Sequence, residues 1–428
     1  IEAGDYAICS ASPELFFSYN EGRIVSRPMK GTARRGRTFS EDWAHAEALH
    51  ESAKDRAENI MIVDMIRNDI GRIAQPGSIE AVSTYDVEKY PTVWQMTSTV
   101  AGHSSESITN VCRALFPCAS ITGAPKTKTM EIIRSLETSA RNIYTGSIGF
   151  MTPQGEACFN VAIRTALLDL KQGSMEFGVG GGIVWDSDAE AEYEETLTKA
   201  RVLTQPRPEF QLLETMLWDP ESGFFLLDEH LARLGKSAAY FDIPLEIFTI
   251  REELESVIQA LDMKPHRVRL LVSEDGHSEV QTFPLEDGGA QASAPKGGPR
   301  PSIQVALANE PVDSQDVFLY HKTTHRVVYE SAQADFPECD DVILWNEKGE
   351  VTESCLGNVV IRRQGRLITP PVACGLLAGV FRNDLLKRGE IEEGIVTAED
   401  LMSADEVFLV NSVRKWQKAV VAQQEGEE

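Results

Sequence analysis

No apolar run in this 428-residue chain reaches the roughly 18 residues that a membrane span requires, and no segment has the layout of a signal peptide. The seven cysteines (Cys9, Cys112, Cys118, Cys158, Cys339, Cys355 and Cys374) form no C-x-x-C pair. An odd, dispersed set reads as reduced thiols, the usage of a cytoplasmic protein. Positive charge is scarce: 41 Lys and Arg stand against 66 Asp and Glu, a formal net charge of -25. That argues against nucleic acid, whose phosphates need a basic face. It favours accumulation of cations, and any anionic substrate would need a locally basic pocket. An initiator Met is also missing. The chain opens on Ile1-Glu2-Ala3-Gly4 and runs at once into strand-like sequence, so the expectation is that an N-terminal portion is absent.

What is present is enough for two domains, with 42% hydrophobic and 25% charged residues. Leu15–Tyr19 and Arg23–Ser26 read as a hairpin around Asn20-Glu21-Gly22. The second arm leads into Arg27-Pro28-Met29-Lys30-Gly31-Thr32, where Gly31 lets the backbone pass close to whatever Lys30 faces. Such a lysine, if buried, can act as nucleophile or base; alone, it reads as solvated. Glu41–Arg67 reads as one long helix carrying Glu58, with no Gly or Pro to interrupt it. Phe116 to Lys126 places Ser120, Thr122 and Gly123 before a helix through Arg134. That pattern is either a plain N-cap or an anion site.

Tyr144–Phe150 and Asn160–Ala166 read as strands of one sheet. Arg164 inside the second would need an anion, supplied either by a buried ion pair or by a bound carboxylate. Phe177 to Val184 is glycine-rich but lacks the spacing of a dinucleotide fingerprint. The helix after it presents Glu192, Glu195 and Lys199 at i, i+3 and i+7, either a salt-bridged surface or oxygen ligands suited to Mg2+.

Taken in order, Ser12-Pro13-Glu14-Leu15-Phe16, Pro28 to Thr32, Arg67-Asn68-Asp69, Thr122 to Lys126, Ile163 to Ala166 and Asp186 to Lys199 resemble the chorismate-utilising enzymes over roughly residues 1–204. The resemblance implies an antiparallel β-sandwich with helices. It implies Mg2+ held by Glu58, Glu192 and Glu195, and a substrate pocket of Ser120, Tyr144, Arg164, Gly180, Gly182 and Lys199. Glu14 would be the acid or base at the 4-hydroxyl. Anthranilate synthases carry Ala where this chain has Lys30, so Lys30 favours the aminodeoxychorismate synthases, with ammonia from a separate glutaminase. Gln95 stands where that family has His.

Gln205-Pro206-Arg207-Pro208 reads as a stiff linker, and Asp287–Pro301 as a flexible loop between two subdomains. The second half, residues 209–428, resembles the fold-type IV pyridoxal-phosphate enzymes. The carriers are Phe224 to Leu234, His321-Lys322-Thr323-Thr324-His325-Arg326, Val351 to Val360, Gly375 to Val380 and Val410 to Val413. By that resemblance Lys322 is the lysine that carries the cofactor and Glu353 the partner of its pyridine nitrogen. Arg233, Gly379, Val380 and Ser412 are phosphate contacts, and the domain would pair as a homodimer. His230 is left to the core. The two halves together imply consecutive steps, chorismate to 4-amino-4-deoxychorismate and then to 4-aminobenzoate and pyruvate. The competing expectations are an aminotransferase second half, an anthranilate or isochorismate synthase first half, or an inactive first half that docks a glutaminase.

Overall fold

The computed structural model of the chain describes residues 1–185, 187–204, 208–285 and 302–422. The motif residue Asp186, linker residues 205–207 and the expected loop 287–301 lie outside them. Cα packing divides the chain into two units, Ile1–Gly36 with Trp43–Arg207, and Arg37–Asp42 with Pro208–Glu428. Among the described residues, no helix is long and apolar enough to cross a membrane.

The first unit is built from strands β1 (Glu2–Ala3), β2 (Tyr6–Ser10), β3 (Leu15–Asn20), β4 (Arg23–Arg27), β5 (Met29–Arg34), β6 (Glu80–Lys89), β7 (Val93–His103), β8 (Ser147–Met151), β9 (Ala157–Val161), β10 (Thr165–Asp169) and β11 (Ser174–Phe177). Its helices are α1 (Phe39–Glu51) from Trp43 onward, α2 (Ala53–Gly71), α3 (Ile108–Leu115), α4 (Ala119–Thr122), α5 (Lys126–Leu136) and α6 (Ala189–Thr204). One sheet runs β5-β7-β4-β3-β9-β8 with β6 on β7, and a second runs β1-β2-β10-β11. Glu21 and Gly22 both take positive φ (49° and 81°), which closes β3 onto β4 through a two-residue turn. Pro28 separates β4 from β5, yet both pair with β7, so Lys30 is carried on a strand. Ile62, Val63, Ile66 and Ile70 of α2 pack against Phe16, Phe17, Ile24 and Val100 of the sheet, each buried side chain contributing about 2 kcal/mol.

Three local expectations are corrected. The long helix is two helices, because the Ser52 side chain accepts a hydrogen bond from Asp55 N and caps the second. A serine hydroxyl that takes the N-cap role starts a new helix without any Gly or Pro. Asn160–Ala166 is not one strand: β9 ends at Val161, β10 starts at Thr165, and the two belong to different sheets. Arg164 lies between them with φ of 47°, a left-handed turn residue rather than a strand residue. Tyr144 likewise precedes its strand, beside Thr145 at φ of 64°.

The second unit continues with β12 (Leu212–Asp219), β13 (Gly223–Phe224), β14 (His266–Val272), β15 (Ser278–Pro284), β16 (Ile303–Leu307), β17 (Asp341–Trp345), β18 (Val351–Ser354), β19 (Asn358–Arg363), β20 (Arg366–Thr369), β21 (Glu392–Glu393), β22 (Glu406–Asn411) and β23 (Lys415–Val421). Helices α7 (Leu227–Phe241), α8 (Ile247–Ile258), α9 (Val327–Ala334), α10 (Val380–Lys387) and α11 (Ala398–Met402) complete it. An antiparallel sheet β13-β12-β14-β15 packs on α7 and α8 through Leu212, Met216, Leu231, Leu234 and Leu254. A mixed eight-stranded sheet, β18-β17-β16-β23-β22-β19-β20-β21, holds the second core. The chain entering β12 also pairs with the lysine segment: Leu213 N donates to Lys322 O at 2.9 Å, and Thr324 N to Gln211 O at 2.9 Å. Lys322 is thereby fixed at the edge of the smaller sheet.

Candidate active sites

In the first unit a cavity of about 490 Å3 gathers Glu14, Lys30, Glu58, Ser120, Tyr144, Arg164, Gly180, Gly182, Glu192, Glu195 and Lys199. Buried Asn59 fixes the helix beneath it. Its amide donates to Lys30 O at 3.3 Å and its Oδ1 accepts from Ser98, so its neighbour Glu58 faces Lys30. Lys30 Nζ lies 3.2 Å from Glu58 Oε2. The glycine run is shaped by the same residues. A Cβ on Gly178 would overlap the Tyr144 ring, one on Gly181 would come within 2.8 Å of Glu192 Oε2, and one on Gly182 would overlap Lys30 Nζ. At Gly178 only glycine fits against the ring, while at Gly181 and Gly182 a side chain would displace the Glu192 carboxylate or the Lys30 amine.

Glu14 is 3% exposed and accepts from Ser120 Oγ at 2.6 Å. Burial pushes its carboxyl up to about 7, against the opposing pull of Ser120, the Met29 backbone and Lys30. Among the described residues no carboxylate pairs with Arg164, and its guanidinium lies 5.9 Å from the Tyr90 ring. Burial lowers its pKa, with Tyr90 opposing. A half-buried cation without an anion, set in a cavity wall, is poised for an anionic ligand. Gln95, where a histidine was expected, donates to Thr32 Oγ1 at 3.0 Å on the same wall.

Ser120 and Thr122 lie within the short helix α4 and do not cap α5, whose N-cap is Pro125 with no side-chain hydrogen bond. Lys126 Nζ binds Asp69 at 2.5 Å and the carbonyls of Leu115 and Pro117, joining two of the sequence motifs. The three acidic candidates share the cavity but are each engaged: Glu58 with Lys30, Glu195 with Lys199 at 2.8 Å, Glu192 with Ser187 at 2.6 Å. Among the described residues, no three His, Cys, Asp or Glu side chains are gathered closely enough to hold a metal ion.

The second unit holds a cavity of about 360 Å3 lined by Lys322, Glu353, Arg233, Gly379, Val380 and Ser412, with His230, Tyr329 and Asn358. Burial and the nearby Arg233 hold Lys322 down at about 8, although Glu214 and Glu353 pull the other way. Glu353 receives Tyr329 OH at 2.8 Å, Leu377 N at 3.2 Å and Asn358 Nδ2 at 3.3 Å. Burial nevertheless pushes it up to about 7. Gly379 N-caps α10, and a Cβ there would overlap Asn358 Oδ1. Its glycine is therefore required by the Glu353 network as well as by any anion at the helix start. Arg233 is held by Glu214 through Nε at 2.9 Å and Nη2 at 2.7 Å, and its Nη1 reaches Ala378 O at 3.3 Å. Glu214, Tyr329 and Asn358 escaped the sequence reading, and His230 was assigned to the core rather than to the cavity wall. Only Glu214 left a signal, a carboxylate between the apolar positions Leu212 and Met216 that demands a buried cation.

Comparison with known proteins divides the chain at the same place. Residues 1–205 match the chorismate binding enzyme model, and residues 211–420 the amino-transferase class IV model. Aminodeoxychorismate synthase component 1 of Salmonella typhimurium is 45% identical over 204 residues, 47% of this chain and 44% of that protein. Anthranilate synthase component 1 of Spirochaeta aurantia is 41% identical over 203 residues, 47% of this chain and 42% of that one. A solved putative amino-acid aminotransferase from Mesorhizobium loti is 34% identical, spanning 50% of this chain and all of its own, with a TM-score of 0.45. The chain spans less than half the length of the synthase relatives it matches. With one cavity built on Lys30, Glu58 and the glycine run and another on Lys322 and Glu353, residues 1–205 belong to the chorismate binding enzymes and residues 211–420 to amino-transferase class IV.

Proposed function

We propose that the chain makes 4-aminobenzoate from chorismate in two steps, one in each unit, as a precursor of folate. The first joins chorismate and ammonia into 4-amino-4-deoxychorismate, the ammonia coming from a glutaminase partner, as the "component 1" relatives suggest. Identity alone does not separate this from anthranilate synthesis, since relatives of both names match at 41–46%. The observation that carries the reading is Lys30, presented on β5 into the cavity beside Glu58 and under Gly182.

In that reading the Lys30 amine adds at C2 of chorismate as the 4-hydroxyl departs. Glu14, protonated up to about pH 7, gives the proton to the leaving oxygen. Ammonia then adds at C4 and Lys30 leaves from C2. Arg164 and Tyr144 bind the enolpyruvyl carboxylate, with Ser120, Lys199 and the Gly180–Gly182 backbone shaping the pocket. The oxygen donors fit a Mg2+ held by one or two protein carboxylates and a substrate carboxylate, not one caged by three. Glu58 and Glu195 would supply them, Glu192 would order the ion and its waters, and a cation at Glu58 would compete with Lys30 for the same oxygen.

The second unit would release pyruvate. Its donor set fits pyridoxal phosphate: a buried, easily deprotonated lysine, a carboxyl opposite it in the cavity, and an arginine beside a helix start. The cofactor, when bound, supplies an electron sink for the carbanion left by proton removal. Lys322 carries the ring proton, Glu353 holds the pyridine nitrogen protonated, and aromatisation drives the departure of pyruvate. Arg233, Gly379, Val380 and Ser412 would hold the phosphate.

The test is a product assay on the purified chain with chorismate, ammonium, Mg2+ and pyridoxal phosphate, beside Lys30→Ala and Lys322→Ala. The expected result is 4-aminobenzoate from wild type and accumulated aminodeoxychorismate from Lys322→Ala. Anthranilate as product, or transamination of ordinary amino acids with no chorismate consumed, would overturn it.

A further inference from the structure

The second cavity is more basic than one phosphate requires. Among the described residues its wall carries six arginines and Lys322 against one acid, Glu353, in a chain whose formal net charge is -25. Arg233 and Arg382 are neutralised by Glu214 and Glu393, at 2.7 and 2.6 Å. Arg326, half-buried in the same wall, has neutral partners instead. Its Nη2 donates to the Cys355 carbonyl at 2.6 Å, its guanidinium lies 4.6 Å from the Tyr329 ring, and among the described residues no carboxylate pairs with it. One carbonyl engages a fork of five N–H donors, which leaves donors for a ligand.

The lysine segment sets its place. Arg326 follows Lys322 by four residues and is the N-cap of α9, the helix that carries Tyr329 to Glu353. After burial and Arg233, it is the next cation that holds Lys322 down. A fixed, half-buried cation beside the lysine and short of an anion suits a carboxylate, whose two oxygens match the guanidinium fork. Aminodeoxychorismate carries two carboxylates. The ring carboxylate is para to the amine, at the far end of the molecule from Lys322. The enolpyruvyl carboxylate hangs from the carbon next to the amine-bearing one, where Lys322 takes its proton. We propose that Arg326 anchors the enolpyruvyl carboxylate, the group that departs as pyruvate, and so selects substrates with an acid on the leaving side. This rests on the reading of the second unit as a lyase. Arg326 holds and orients the leaving group, and no bond to it forms or breaks.

The test uses the full chain loaded with pyridoxal phosphate, beside Arg326→Met and Arg326→Lys. Methionine keeps an apolar stem over Tyr329 and removes the charge, whereas lysine keeps the charge. Two ligands are compared. Aminodeoxychorismate is read by turnover. The other, 4-aminobenzoate, has the amine and the ring carboxylate but no enolpyruvyl group, and is read by titration of the cofactor absorbance. Arg326→Met should raise the KM for aminodeoxychorismate about ten- to a hundredfold, with kcat within about threefold of wild type. Its affinity for 4-aminobenzoate and the absorbance of its bound cofactor should match wild type. Arg326→Lys should recover most of the KM, and Arg326→Gln, a second uncharged variant, should behave as methionine does.

An unchanged KM with a lower melting temperature would overturn the inference and leave Arg326 as a pin for the Cys355 carbonyl. An equal loss of affinity for 4-aminobenzoate would overturn it in favour of the ring carboxylate. A shifted cofactor absorbance with an unchanged KM would do so in favour of the cofactor's own phenolic oxygen. Wild type that binds pyridoxal phosphate without turning over aminodeoxychorismate would instead overturn the lyase reading on which the inference rests.

Discussion

Replacing Arg164 by methionine separates a binding role from a structural one. The guanidinium has no carboxylate partner among the described residues, and Tyr90 is the neighbour that stabilises its charge. Methionine keeps an apolar stem of similar reach and removes the charge. Folding then loses a cation–π contact of about 0.5–1 kcal/mol and recovers the desolvation of a half-buried cation. The two offset, so the melting temperature of the first unit should stay within about 3 °C of wild type. The substrate carboxylate, by contrast, loses a charged hydrogen bond of about 1.5–3 kcal/mol. The KM for chorismate should therefore rise about ten- to a hundredfold, with kcat changing less. The assay is chorismate consumption with ammonium and Mg2+, run beside thermal unfolding. A fall in melting temperature of about 8 °C or more with an unchanged KM would refute the reasoning. It would mean that Arg164 serves the fold and that another cation holds the substrate.

Glu14→Gln keeps an acceptor for Ser120 but cannot give a proton. Chorismate turnover should drop about a hundredfold or more, and the loss of rate that wild type shows above about pH 7 should vanish from the pH profile. Gly182→Ala places a methyl where Lys30 Nζ lies, so Lys30 must move. Chorismate consumption should fall by about a hundredfold while turnover of added aminodeoxychorismate is unchanged. Glu353 keeps its proton in the folded state up to about pH 7, whereas the unfolded chain loses it near 4.5. The folded state thus binds more protons across that window. Stability of the second unit should fall as pH rises through it, by at most about 3 kcal/mol, as read from urea midpoints. Glu353→Gln should flatten that slope, and so should bound pyridoxal phosphate, whose ring proton gives the carboxylate a partner.

How far the sequence exposed these sites depended on how local each cause was. The hairpin before Lys30 is written in Glu21-Gly22, and the helix with Glu192, Glu195 and Lys199 in its own spacing. The break at Ser52 was missed because one hydroxyl among good helix formers is a faint signal until its side chain is seen to accept from Asp55 N. Arg164 was assigned to a strand because nothing about arginine announces a positive φ; the turn is imposed by two sheets parting around it. The glycine run announced a close approach but not to what, since Tyr144, Glu192 and Lys30 come from distant parts of the chain.

The second cavity shows the limit more sharply. Tyr329 and Asn358 hold Glu353 from α9 and β19, and neither residue type at those positions carries a sequence signal. Glu214 did carry one. An acidic residue on the face of β12 that also bears Leu212 and Met216 cannot remain unpartnered, and the next helix offers His230 and Arg233 one turn apart. A carboxylate on the buried face of a strand is therefore evidence about the helix packed against it. Here it leads to a histidine that composition and periodicity would leave in the core, and that shares the buried carboxylate with Arg233.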